Sequence, residues 1–107
     1  MVIIETSVFT RQITALMDDD AYAEFQEDLA ERPNMGATIP GSGGIRKVRI
    51  AAKGHGKRGG ARVIYYWAVS DSQVFMLLAY AKNEQSDLTR DQIKILKALV
   101  EEEFGDG

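Results

Sequence analysis

The sequence predicts an α+β fold: an N-terminal strand and two helices, then a mostly antiparallel sheet and a C-terminal helix, in the order β-α-α-β-β-β-α. Three observations predict it. Apolar residues recur at helical spacing only in residues 8–32 and again after residue 89. Between these regions lie three runs rich in β-branched and aromatic residues, "IRKVRIA", "RVIYYWAV" and "VFMLLAYAK", and the short link between the last two favours antiparallel pairing. A length of 107 residues accommodates one domain, 1–107, around one set of packed layers.

The elements follow in order. "VIIE" at the N-terminus reads as a short strand. Ser7 suits the N-cap of a helix over residues 8–17. Asp18, Asp19 and Asp20 place carboxylates at the start of a second helix, where its dipole favours them. Tyr22, Phe25 and Leu29 give that helix its apolar stripe, and Pro33 ends it. "NMGATIPGSGG" (34–44) is a loop. Residues 45–51 alternate, with Lys47 and Arg49 on one face and Val48 and Ile50 on the other. "KGHGKRGGAR" is a long turn into the strand over residues 62–69, and "SDSQ" is a tight hairpin turn. Residues 74–82 are apolar on both faces, as a central strand should be. Thr89 or Ser86 caps the last helix, whose stripe is Ile93, Leu96, Leu99, Val100 and Phe104. Such a sheet buries one face against the helices, leaving the other face or its rim for function.

Composition removes several function classes. The chain has no cysteine, which excludes a disulfide framework and thiolate metal sites. One histidine does not build a multi-histidine zinc site. No run approaches the ~20 apolar residues of a membrane span, and "MVIIETSVF" has neither a basic leader nor a cleavage site. The expectation is a cytoplasmic protein without metal, cofactor or membrane attachment. The formal charge is −3, but its distribution is uneven. Arg46, Lys47, Arg49, Lys53, Lys57, Arg58 and Arg62 follow one another with no Asp or Glu between them, more than half of the 13 basic residues. Local field rather than net charge steers a polyanion.

Gly54, Gly56 and Gly59 have the G-x-G-x-x-G spacing, but they lead into a strand, whereas a dinucleotide fingerprint opens a helix. "GSGG" is not followed by the Lys-Ser/Thr of a P-loop. The remaining reading is a cationic, glycine-rich hairpin: Lys and Arg bind phosphates through counterion release and bidentate contacts, and glycine admits the chain closely. In so cationic and pliant a setting His55 reads as a phosphate contact rather than an oriented general base. Strand alternation places Tyr66 on the face of Arg62, where it is a candidate for base stacking, and puts Tyr65 and Trp67 on the opposite face. Tyr80 shares a face with Lys82.

The segments "PGSGGIRKVR", "GKRGGARVIYY" and "AKNEQSDL", within a pattern running from residue 2 to 104, resemble the RelE/ParE superfamily of bacterial toxins, most closely its HigB-type branch. The resemblance implies a toxin of a type II toxin–antitoxin module acting as a ribosome-dependent mRNA endonuclease. The implied chemistry is metal-independent: the ribose 2′-OH attacks the adjacent phosphate, leaving a 2′,3′-cyclic phosphate and a 5′-OH. Lys47 and Arg49 fall at the family's strand-borne basic pair, Arg62 at the arginine opening its third strand, and Lys82 in its "GKRE" segment, here "AKNE". These four residues are the implied catalytic set, with Arg46, Lys53, His55, Lys57, Arg58 and Tyr66 as RNA contacts. Asn83 stands where the family has a further arginine, and Thr89 near its tyrosine. The implied partners are the ribosome, mRNA and a cognate antitoxin of helix-turn-helix, HigA-like type. Two other readings stay open: a ParE-type gyrase inhibitor, and an inactive homologue that only binds an antitoxin.

Overall fold

The computed structural model describes residues 1–52 and 60–105. Its elements are β1 (Val2–Glu5), α1 (Ser7–Leu16), α2 (Asp19–Glu31), β2 (Ala37–Thr38), β3 (Ile45–Ile50), β4 (Ala61–Ala68), β5 (Gln73–Ala81) and α3 (Arg90–Phe104). They form one sheet in the order β1-β5-β4-β3-β2, antiparallel except for the parallel β1–β5 pair. The α+β architecture and element order are those expected from the sequence, with β2 added inside the stretch read as loop.

Side-chain alternation sorts the strands into two cores. On one face, Val48, Val63, Tyr65, Val74 and Met76 pack against Phe9 and Ile13 of α1 and Phe25 and Leu29 of α2. On the other, Ile45, Ile64, Phe75 and Leu77 pack against Leu96 and Val100 of α3. The expectation of one uncovered face is therefore corrected: α3 carries an apolar stripe of its own and buries it on the second face.

A bulge in β5 decides which residues share that face. Ile64 registers with Leu78 but Tyr65 with Met76, so Leu77 is an extra residue. A one-residue slip reverses the facing of everything beyond it. Phe75 and Tyr80, five positions apart, consequently both join the α3-side cluster.

Caps and loops show how the chain turns. Thr6, not Ser7, caps α1: its Oγ1 accepts from the Phe9 N–H at 3.0 Å and donates to the Leu77 carbonyl at 3.0 Å. A hydroxyl is both donor and acceptor, and Thr6 uses both capacities. β1 covers β5 only as far as Met76. Beyond it the Ala79 N–H donates to Gln12 Oε1 at 2.9 Å, so side chains of the α1 region stand in for a missing strand. Asp18 caps α2 through the Ala21 N–H, and α2 gives out just before Pro33. The loop into β3 is pinned by the Tyr65 hydroxyl, which donates to the Pro33 carbonyl at 2.7 Å and accepts from the Gly36 N–H at 3.0 Å. The expected hairpin turn is a short 3₁₀ turn, Val69–Asp71, closed by Ser72 at φ 50°. Thr89 caps α3 in a capping box with Gln92.

Candidate functional site

Strand register assembles the site. Arg49 on β3 lies opposite Arg62 on β4, and Arg62 lies opposite Tyr80 on β5. Directly paired residues have Cβ atoms about 4.5–5.5 Å apart, so a row of two guanidiniums and a phenol crosses three strands. The next row on this face begins with Lys47, paired with Ile64. β4 is flanked by strands on both sides, which is why Arg62 is 6% exposed while Arg49 is open to solvent.

Arg62 is the electrostatic anomaly. Its Nη1 donates to the Ala61 carbonyl at 3.2 Å, a neighbour in the chain. Among the described residues no carboxylate is in ion-pair contact with it, and Asp87 pairs with Lys47 instead. A buried charge is ordinarily paired, and like charges directly opposite in a sheet are unfavourable. The arrangement of Arg49 against Arg62 has a surplus of positive charge that an arriving anion would relieve.

Lys47 is already occupied. Its Nζ lies 2.6 Å from Asp87 Oδ1, with Lys47 31% and Asp87 72% exposed at the side chain. The hydrogen bond to Lys47, and then its charge, hold the Asp87 carboxyl below the usual range, and Arg62 adds to the effect. Asp87 also acts on Tyr80, whose phenol is pushed up first by burial and then by the Asp87 charge, with Arg62 opposing. Asp87 thus connects all three groups electrostatically. A cavity of about 340 Å³ adjoins the pair, lined in part by Thr38, Ile39, Lys47, Asp87, Leu88 and Ile93.

The other expected site residues divide. Lys82 follows β5, its backbone N–H donating to the Gly60 carbonyl at 3.0 Å and its side chain exposed. Arg46 is on the opposite face from Arg62, where its Nη1 donates to the carbonyls of Gly36 at 2.6 Å and Asn34 at 3.2 Å; it is a loop clasp. Tyr66 shares the face of Arg62, but four residues along β4, about 13 Å away at strand rise. Its ring is half-buried and lies tilted against that of Phe104 of α3, the centroids 5.6 Å apart. Lys53, His55, Lys57 and Arg58 lie outside the described residues. Thr89 has its hydroxyl engaged by the Gln92 N–H at 3.1 Å.

The site list read from the sequence omits Tyr80 and Asp87. The signal for Tyr80 was its shared face with Lys82; the bulge that seats it beside Arg62 leaves no mark in the sequence. Asp87 stands 40 residues from Lys47, with nothing local to pair them.

The chain as a whole has a counterpart. The family model described as RelE toxin of the RelE/RelB toxin–antitoxin system matches residues 3–105. Among the described residues no helix is long and apolar enough to cross a membrane. The match takes in every strand and helix that builds the Arg49–Arg62–Tyr80 row, and the chain belongs to the RelE toxin family.

Proposed function

We propose that this toxin is a ribosome-dependent mRNA endonuclease of the HigB type, acting in the cytoplasm and held in check by a HigA-like antitoxin with a helix-turn-helix domain. The observation that carries the reading is Arg62: a buried guanidinium, without a carboxylate partner among the described residues, facing a second arginine. In the proposed reaction the 2′-oxygen bonds to phosphorus as its proton leaves, and the P–O5′ bond breaks as O5′ takes up a proton. Charge accumulates on the phosphorane oxygens, where fixed donors act most strongly. Arg62 and Lys82 hold those oxygens, and Arg49 or Lys47 assists once the Lys47–Asp87 pair gives way. Lys53, His55, Lys57 and Arg58 supply sequence-independent contacts to RNA phosphates.

Induced expression followed by primer extension on cellular mRNA tests the reading. Cuts within ribosome-bound codons are expected, and Arg62→Ala combined with Lys82→Ala should abolish them. Growth arrest without cuts would replace this reading with gyrase inhibition. Cuts that persist in the double variant would overturn the site assignment.

A further inference from the structure

The Tyr80 hydroxyl is the one buried side-chain polar atom among the described residues without a hydrogen-bond partner. The residue is 6% exposed. Burying a hydroxyl without a partner is costly, and buried phenols usually find one. The fold nevertheless arrives at this position through a bulge, which places the phenol in register with Arg62. The segment after β5 then brings Leu88 onto the same apolar cluster and Asp87 to Lys47.

We propose that the Tyr80 hydroxyl is a ligand group of the anion site: it donates a hydrogen bond to a phosphate oxygen of bound RNA, beside the Arg62 guanidinium, once the Lys47–Asp87 pair opens. Three observations support this. The row Arg49–Arg62–Tyr80 offers two charged donors and one neutral one along a single line across the sheet. The phenol is held above its ordinary value, so it keeps its proton and remains a donor. The Lys47–Asp87 pair is exposed, and exposed ion pairs are weak and readily screened. An RNA phosphate can take over the role of the Asp87 carboxylate toward Lys47. Tyr80 donates a hydrogen bond to the phosphate oxygen in the bound and transition states alike and transfers no proton in this scheme, since burial keeps its phenol protonated.

This proposal rests on the RNA reading above, and its test separates the two. Tyr80→Phe removes only the hydroxyl. It is measured three ways: thermal stability without ligand, affinity for a short single-stranded RNA made uncleavable by 2′-O-methylation, and single-turnover cleavage of ribosome-bound mRNA. The expected results are a melting temperature equal to or above that of the wild type, weaker oligonucleotide binding, and cleavage slowed about 10²-fold, the scale for one lost transition-state donor. A lowered melting temperature with unchanged affinity would show that the hydroxyl has a structural partner, and would overturn the proposal. So would unchanged affinity and cleavage. If the wild type binds the oligonucleotide but cuts no mRNA, the nuclease reading fails while the affinity comparison still judges Tyr80. If the wild type does not bind the free oligonucleotide, single-turnover cleavage of ribosome-bound mRNA judges Tyr80→Phe by itself, and an unchanged rate overturns the proposal.

Discussion

Replacing Arg62 with methionine should stabilise the protein while disabling it. The guanidinium is 6% exposed and its one hydrogen bond among the described residues runs to the Ala61 carbonyl at 3.2 Å. Losing that bond costs about 1 kcal/mol. Against it stands the desolvation of a buried charge with no carboxylate in contact among the described residues, several kcal/mol per ion after relaxation and only partly offset by the field of Asp87. Methionine fills most of the same volume with a flexible apolar chain. The balance favours the variant by about 1 kcal/mol or more, which for a domain of this size raises the melting temperature by roughly 4 °C or more. In the transition state the same substitution removes a fixed donor from the phosphorane, a loss of about 10²–10³ in rate. Calorimetry on the antitoxin-free protein and single-turnover cleavage on programmed ribosomes measure the two sides. The reasoning is refuted if Arg62→Met melts well below the wild type, because the guanidinium would then be holding the fold together. It is equally refuted if cleavage is unaffected.

Three further outcomes are expected. Tyr65→Phe should cost about 1–3 kcal/mol in denaturant melts, because it leaves the Gly36 N–H and Pro33 carbonyl without the hydroxyl that joins them. Thr89→Ala should cost about 1 kcal/mol through the lost cap of α3 while leaving cleavage intact; a loss of cleavage would give Thr89 a chemical role its capping geometry does not suggest. Tyr22, Tyr65 and Tyr80 are all held above the ordinary 10.0, chiefly by burial. Their contribution is fully present below the unfolded value and is lost as pH rises from there through the raised folded values, so urea midpoints should hold up to about pH 10 and fall above it.

The strands and helices were legible because their periodicities are long and their cap chemistry is local: the Asp18–Asp20 carboxylates and Thr89 announce α2 and α3 in the sequence itself. Strand alternation likewise put Lys47 with Arg49 and Arg62 with Tyr66, and the register of β3 against β4 brings the two sets onto one face. Other features depend on contacts distant in the chain. Thr6 outcompetes Ser7 as a cap because it also reaches Leu77, 71 residues away. β2 has two residues and exists only because β3 pairs with it. Arg46 reads as one more cation in a basic run, but alternation turns it from Arg62 toward the carbonyls of Asn34 and Gly36. The bulge at Leu77 is invisible in an all-apolar run, where either facing is equally plausible, and it alone decides that Tyr80 rather than Ala79 meets Arg62.

The sheet order carries a consequence for the timing of toxicity. β1 leaves the ribosome first, yet its partner is β5, made last among the strands. The Arg49–Arg62–Tyr80 row is likewise incomplete until Tyr80 has been added. At about 5–20 residues per second, that delay spans several seconds of synthesis. A nascent chain therefore has no complete Arg49–Arg62–Tyr80 row until β5 has been made, and the family's toxic function, so far as it rests on that row, waits on the last strand.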